Sequence, residues 1–537
     1  MSQGMQPPAR PRRRRRVVVA ALAVLVVAAG TTGAILGFRV LGGSADSLQS
    51  LVPSDSAIYV NVHLDPSAGQ KLALNGLLDK FPALSGSSRD TTINGWLDSA
   101  LRPTGLTHDD VRPWLGSDVS FVSSGAPDAA ALISSTNDSA AQAAITKLQQ
   151  KSDHPDQWTT STYNGVTVTS NADAGVFAVT DHAMIIGSAA GVVHEIIDTA
   201  LGKHAAIASS SSFTEAVGQV PSDRIALVYV EPSAIAQSLL KSAASALPQN
   251  ALSSLQAYRG VALAVVAHSD GVSVSGVEDL DTSKMSAAQR AQLSEPPHDN
   301  GSLALMPASS YAAATVTGLK ETLQGLVDEA GAASGFDLSS ILQQLGLTGP
   351  NGIVGHLSGD AGIDLTPESG ANVPGGALAI GTDSDSAAQQ FMSNLVATVC
   401  NGFLCDASQL THQQYDGADI TSVAPSTVAS GIDPSWAVFH GWIITGSTPD
   451  QVRAALDADR SGHNVTGNAD YGAVMSQVGG SSNNGSFFVD VQPLLSAFHA
   501  SMPSDLQAEY LKPLKAFGMA VHNASDHVSI DMFTLIQ

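Results

Sequence analysis

Short segments of this chain alternate between apolar and polar residues, which is the period of a strand with one buried face. Val166–Ser170 shows the pattern in the first half, and Ala57–Val62, Gly175–Thr180 and Ala183–Gly187 are predicted to be short strands as well. Segments with helical spacing lie between them, including one that runs to about Phe81. Because hairpins supply neighbouring strands while helices intervene, the pattern predicts an α+β fold, with a mainly antiparallel sheet backed by helices on one face.

The same order of elements occurs a second time further along the chain. Tyr163–Ser170 corresponds to Tyr415–Ser422, and Met184–Ser188 corresponds to Trp442–Ser447. Each half also closes on a predicted hairpin. A repeat of this kind predicts a tandem duplication of one α+β unit. The predicted bounds are about 50–282 for the first repeat, 283–298 for a linker and 299–537 for the second repeat.

Residues that cap helix N-termini precede several predicted helices. Asp65 followed by Pro66 predicts a helix start, because Asp accepts hydrogen bonds from the first turn and Pro suits its first position. Gly-Ser pairs end the strands before two further helices, so Ser188 and Ser447 are predicted N-caps as well. A helix N-terminus can also hold an anion, but neither serine is accompanied by a longer glycine-rich loop or a P-loop lysine. Capping is therefore our interpretation of all three residues.

The N-terminal region has a basic block followed by an uncharged apolar segment. Val17–Phe38 carries no charge and, as a helix, is long enough to cross a bilayer core of about 30 Å. Five consecutive arginines precede it, so the positive-inside rule predicts a cytoplasmic tail at 1–16. A Gly/Ser stalk at 39–50 would follow on the outer side. The predicted location is the cell membrane, crossed once by this signal anchor, with the C-terminal region extracytoplasmic.

Two alternatives remain for this apolar segment. A cleaved signal peptide would use Gly43-Ser44-Ala45 as a weak cleavage site, although the apolar run is longer than a signal peptide needs. A twin-arginine export signal would use the arginine block, but the rest of that motif is missing. A lipoprotein anchor is not expected, because no cysteine lies near the N-terminus.

Charge is distributed unevenly along the chain. The net charge is −23, yet the first 40 residues hold seven arginines and no acid, so the remainder is more acidic still. Nucleic-acid binding needs Lys and Arg facing the phosphates, and an acidic body excludes that class of partner. The hydrophobic content of 44% supports a folded core rather than disorder.

Cys400 and Cys405 are the two cysteines of the chain. Outside the cytoplasm such a close pair usually oxidises, so we expect a structural disulfide that contributes about 2 kcal/mol by closing a small loop. A redox-active pair would more typically have the C-x-x-C spacing. A metal site would find only Asp406 and His412 nearby as further ligands.

No segment carries a specific catalytic signature. The G-x-S-x-G elbow of serine hydrolases is absent. His194-Glu195 begins like a zinc-protease helix, but Asp198 stands where the second histidine is needed. Ser238 and Lys241 have S-x-x-K spacing without its companion motifs. The sequence therefore assigns no catalytic residue, no cofactor and no metal site.

The segment around the first predicted strand is similar to a bacterial envelope family. Val52–Val62, Leu64–Ser67 and Gly69–Lys71 carry the resemblance, together with the Gly-Ser pairs described above. The family is catalogued as domain-of-unknown-function family 3352. The resemblance implies a membrane-tethered extracytoplasmic protein, and it supplies no activity and no catalytic residue.

The sequence supports two hypotheses about function. In the first, the protein is a non-enzymatic binding or scaffolding module of the cell envelope, with an envelope protein as partner or with an apolar or lipid ligand in a groove between the repeats. In the second, it is an envelope-acting hydrolase or transferase whose site is assembled from distant residues. An enzyme predicts a cleft with convergent acids or histidines whose pKa values are shifted.

Overall fold

The computed structural model describes most of the chain after residue 45. These residues form two compact units: the first ends at Lys284 and the second begins at Met285. The described ranges are 46–84, 106–125, 128–152, 154–236, 256–325, 346–349, 352–368, 374–399, 410–423, 433–497 and 510–537, with single positions or pairs at 94–95, 98–99, 101 and 343.

The first unit is built on an antiparallel sheet whose strands are ordered β4-β5-β6-β7-β3-β2-β1-β8-β9-β10. Its strands are β1 (Ile58–His63), β2 (Leu115–Gly125), β3 (Asp128–Ser135), β4 (Thr159–Tyr163), β5 (Val166–Asn171), β6 (Gly175–Thr180), β7 (Ala183–Gly187), β8 (Ala226–Val230), β9 (Tyr258–His268) and β10 (Gly271–Leu280). Its helices are α1 (Ala68–Asp79), α2 (His108–Val111), α3 (Asp138–Lys151), α4 (Ala190–Ala200) and α5 (Ser211–Gly218).

The second unit has an antiparallel sheet ordered β15-β16-β17-β18-β14-β13-β12-β20-β21-β22, and β11 pairs separately with β19. The strands are β11 (His298–Asp299), β12 (Ala312–Val316), β13 (Leu357–Leu365), β14 (Ala377–Thr382), β15 (Leu410–Tyr415), β16 (Ala418–Val423), β17 (Ser435–Phe439), β18 (Trp442–Gly446), β19 (Ser482–Asn483), β20 (Gly485–Asp490), β21 (Leu514–Asn523) and β22 (His527–Ile536). The helices are α6 (Ala287–Leu293), α7 (Asp385–Val399), α8 (Pro449–Ser461), α9 (Ala469–Gln477) and α10 (Val491–Ala497).

The two sheets have matching strand orders, and their local details match as well. The β4–β5 hairpin turns at Asn164, which has a φ of 48°, and the β15–β16 hairpin turns at Asp416, with a φ of 52°. Each is followed by a glycine with positive φ, which is the backbone of a tight two-residue hairpin turn. The tyrosine before each turn also donates to an aspartate on a helix, Tyr163 to Asp198 and Tyr415 to Asp457.

Helices cover both faces at the end of each sheet that contains β7 or β18, whereas the sequence pattern predicted helices on one face. In the first unit, Ile185 of β7 packs in a core with α4 and α5, while its neighbours on the strand pack with α3. In the second unit, Ile444 of β18 packs with α8, while Ile443 packs with α7. Strands β7 and β18 carry apolar side chains on both faces, so packed helices are needed on both faces to shield them from water.

The three predicted N-cap residues lie close to helices but do not cap them. Helix α1 begins at Ala68, and its N-cap is Ser67, whose hydroxyl accepts from the Gln70 amide at 3.2 Å. Asp65 instead forms an ion pair with Lys71. Helices α4 and α8 begin two residues after the predicted serines. The Ser188 hydroxyl accepts from the Ala129 amide at 3.0 Å, and the Ser447 hydroxyl accepts from the Gly376 amide at 3.2 Å.

Two segments predicted as connections contain ordered structure. The predicted stalk, 39–50, ends in residues that belong to the core of the first unit, because Leu48 is 1% exposed. The predicted linker, 283–298, contains α6, which starts with a capping box formed by Ser286 and Gln289.

The predicted anchor 17–38, Cys400 and Cys405 lie outside the described residues. Among the helices of the described ranges, none has both the length and the apolar character needed to cross a bilayer.

Candidate binding site

A buried polar cluster lies at one end of the central strands of the first unit. The Asp118 side chain is fully buried and contacts His63 Nδ1 at 2.7 Å. It also accepts hydrogen bonds from the hydroxyls of Ser47 and Ser117, both at 2.8 Å. Burial alone would raise the pKa of Asp118, but His63 and the two hydroxyls lower this pKa overall. These partners hold an ionised carboxylate inside the fold.

A second carboxylate extends this cluster to the start of the described chain. Asp46 accepts a hydrogen bond from the Tyr59 hydroxyl at 2.7 Å and another from the Leu48 amide at 3.1 Å. Burial is the largest influence on Asp46 and raises its pKa. The segment that precedes β1 is therefore tied to the sheet by polar side chains as well as by apolar packing.

The directions of the hydrogen bonds in this cluster indicate a structural role. Both serine hydroxyls donate to Asp118, whereas a serine nucleophile donates to the histidine that acts as its base. The second unit has a carboxylate at the matching strand position, Asp360, which contacts His298 Nε2 at 2.7 Å and accepts from the Gly301 amide at 2.9 Å. Each unit thus has an aspartate in contact with a histidine at the matching position, Asp118 on β2 and Asp360 on β13.

The second unit has an apolar sheet surface that its described helices leave open. Directly paired residues run across five strands in one row: Ile363, Ala314, Phe487, Met519 and Met532. The rows on either side contribute further apolar residues, and we call this surface the open face. The added side chains are Leu365, Ala312, Val489, Phe517, Ala361, Val316, Val521 and Ile530.

Exposure distinguishes the open face from the equivalent surface of the first unit. Ile363 is 50% exposed, Leu365 is 42% exposed and Val316 is 40% exposed. At the corresponding end of the first sheet, Val62 is only 3% exposed and packs with Val119 in a cluster of its own. Contiguous exposed apolar surface is uncommon on soluble domains and marks sites of interaction.

A cavity of about 410 Å³ lies on this open face. The side chains of Val316, Phe487, Met519 and Val521 line it, and the chain just after α6 forms one edge. This volume is within the range of about 300–1,000 Å³ that is usual for small-molecule sites, and the lining combines an apolar floor with a polar edge. The polar lining residues are Gln292, Glu295, Thr315, Thr317, Asn484, Ser486 and Asn523.

Hydrogen bonds fix the polar edge of the cavity. The Asn484 side chain donates to the Glu295 carbonyl at 2.8 Å and accepts from the Asn523 amide at 2.8 Å. The Asn523 side chain donates to the Gln292 carbonyl at 3.0 Å. These bonds hold the edge against the ends of β20 and β21. They use the amide groups and leave the Glu295 carboxylate outside the network.

The cavity residues were not found by sequence reasoning. The signal that could have indicated them is that β12, β20 and β21 are apolar at successive positions, which is typical of strands covered on both faces. Within the described ranges, no group of three or more His, Cys, Asp or Glu side chains is placed to hold a metal ion.

Comparison with known proteins gives a family but no activity. No curated protein matches the chain. Three crystal forms of TP0453 are similar in part: form III is 12% identical with a TM-score of 0.25, form I is 11% identical with 0.24 and form IV is 10% identical with 0.25. They cover 47%, 47% and 44% of this chain, and 86%, 85% and 81% of TP0453. The profile of a family described as protein of unknown function, DUF3352, matches residues 17–529, and the chain belongs to that family.

Proposed function

We propose that this protein is a membrane-anchored, extracytoplasmic binding module of the cell envelope, without catalytic activity, and that the open face of its second unit holds an apolar ligand such as a lipid. The observation that carries the proposal is the apolar surface across five strands, with its cavity of about 410 Å³. Burying such a surface gains about 25 cal/mol for each Å² removed from water.

The proposed anchor rests on the sequence. An uncharged segment at 17–38 follows the arginine block, and the family profile begins at residue 17, at the start of that segment. An anchor of this kind would place the two units at the membrane surface, beside a source of apolar ligands. The acidic body of the chain is compatible with such a ligand and opposes binding of nucleic acid.

We also propose that the two units arose by tandem duplication. Their matching strand orders, their hairpins with positive φ and their paired Tyr–Asp hydrogen bonds support this origin. The groove between the repeats that the sequence suggested stays a prediction. The open face offers a binding surface within one unit.

The envelope-acting enzyme is the second candidate, because the Asp118 cluster brings a histidine, two aspartates and hydroxyls together. The hydroxyls that donate to Asp118 favour the structural role described above. An enzyme would require the full chain to turn over an envelope substrate, and His63→Gln would have to abolish that turnover without unfolding the protein.

Native mass spectrometry of the full chain, purified from its own envelope with parallel lipid extraction, tests the binding function. We expect a bound apolar molecule at a ratio of one per chain. Val316→Asp should lose it, because a charge on the exposed floor of the site costs several kcal/mol to bury under a ligand.

The matched control is Leu72→Asp, which places the same charge on a side chain of the first unit that is 76% exposed. This variant should keep the bound molecule. If the purified protein carries no ligand and binds no added apolar probe, the proposed lipid binding is wrong and the scaffolding role is the function that is left.

A further inference from the structure

We infer that the cavity on the open face takes a single-chain amphiphile with a cationic head group, its alkyl chain on the apolar floor and its head beside Glu295. This inference rests on the proposed function and adds the chemical class of the ligand. It combines the apolar lining, the volume and the charge at the edge of the cavity.

The floor of the cavity suits an alkyl chain. Val316, Phe487, Met519 and Val521 present aliphatic, aromatic and thioether groups, and the thioether adapts to irregular chains. Phe487 and Phe517 lie with ring centroids 6.1 Å apart, so the floor continues beyond the cavity along β21. A volume of about 410 Å³ is near the lower end for small-molecule sites, which favours one chain over several.

The edge of the cavity supplies one charged group. Among the described residues that line the cavity, Glu295 is the single charged one, and its backbone carbonyl accepts from the Asn484 side chain at 2.8 Å. Its carboxylate forms no hydrogen bond or ion pair with any residue in the described ranges. The amides around it are already used in bonds to one another. Glu295 is therefore the group left to recognise a head group.

Neighbouring charges reinforce the preference for a cation. A methyl group on Gly318 would lie 3.9 Å from Glu295 Cγ and 4.0 Å from Glu321 Oε2, so two carboxylates flank this glycine. His298 is a neighbouring basic group, whose pKa is raised chiefly by its hydrogen bond to Asp360 and further by the charge of Glu295. The direct contact of His298 is with Asp360, so an anionic head beside Glu295 would be repelled by the Glu295 and Glu321 carboxylates.

The test measures binding of three soluble probes with the same chain length: octylammonium, octanol and octanoate. The full chain is held in phosphatidylcholine nanodiscs, and the signal from empty nanodiscs is subtracted. We expect octylammonium to bind about tenfold more tightly than octanoate, with octanol between them, because a partly exposed ion pair has this magnitude. The ratio of octylammonium affinity to octanoate affinity should fall as salt is added, because salt screens the charge of Glu295.

Variants separate head recognition from chain binding. Glu295→Gln should reduce the ratio of octylammonium to octanoate affinity towards one while octanol binding stays unchanged. Glu215→Gln, which removes an exposed carboxylate from α5 in the first unit, should leave the ratio as it is. Val316→Asp should weaken binding of octanol and octanoate.

The outcomes distinguish this inference from the proposed function. If octanoate binds as tightly as octylammonium, or if Glu295→Gln leaves the ratio unchanged, the cationic head is wrong and apolar binding stands. If none of the probes binds above the empty nanodiscs, both the inference and the apolar-ligand function are wrong.

Discussion

Replacing Asp118 with alanine is expected to destabilise the first unit by about 3–5 kcal/mol, because the change removes a fully buried carboxylate that joins several hydrogen-bond partners. The change leaves the ring of His63 and the hydroxyls of Ser47 and Ser117 without their shared acceptor. His63 is buried, and a buried donor that loses its partner costs about 1–3 kcal/mol, whereas Ser47 is exposed and Ser117 is half-buried, so water can partly replace their acceptor. Urea denaturation followed by hydrogen exchange and mass spectrometry reports the two units separately.

The second unit supplies a matched control for this substitution. Asp360 occupies the corresponding strand position, but its side chain is 16% exposed, and within the described part of the chain it contacts His298 and accepts from the Gly301 amide alone. Asp360→Ala should therefore cost its unit less, about 1–2 kcal/mol. If Asp118→Ala prevents folding, Asp118→Asn keeps one acceptor oxygen and gives a measurable loss. Equal losses at the two positions would contradict the role assigned to the buried cluster.

Local rules predicted much of this fold correctly, because short-range geometry decides hairpins and strands. The hairpin predicted to close each half is present, as β9 and β10 in the first unit and as β21 and β22 in the second. The strands at Gly175–Thr180 and Ala183–Gly187 have the predicted bounds. These features depend on a few adjacent residues, so one sequence is enough to indicate them.

Other features depend on partners that are distant in the chain. Ser188 and Ser447 have the chemistry of N-caps, but the edge of a neighbouring strand offers each hydroxyl a backbone amide, and each helix begins two residues later. The cavity combines Val316 with Phe487 and Met519 through the strand register. Register between such distant segments is not encoded in any local pattern.

Acid is expected to act in opposite directions on two buried aspartates. The lowered pKa of Asp118 means that its contribution to stability is present above the unfolded pKa and is lost as pH falls through the lower, folded value. Asp364 of β13 behaves in the opposite way, because burial raises its pKa to about 6 despite bonds from the Ser310 hydroxyl and the Ala377 amide. Its contribution is fully present below the unfolded pKa and is lost as pH rises through about 6.

Asp364→Asn should remove that pH dependence from the second unit. A shift from the ordinary value of 3.8 to about 6 corresponds to about 3 kcal/mol between pH 4 and pH 7.5. Asparagine has no charge to bury, and it can accept from the Ala377 amide while donating to Ser310. At pH 7.5 the variant should thus be more stable than the native protein by up to about 3 kcal/mol, and the two should converge near pH 4.

The measurement is the free energy of unfolding of the second unit at several pH values, obtained by hydrogen exchange in urea. The difference between the native protein and the variant isolates Asp364 from the other titrating groups. Asp459→Asn is the matched control, because Asp459 is exposed on α8 in the same unit. It should give a flat difference across this range. A flat difference for Asp364→Asn would show that this carboxylate is ionised in the folded protein at the same pH as in the unfolded chain, and the raised pKa would be wrong.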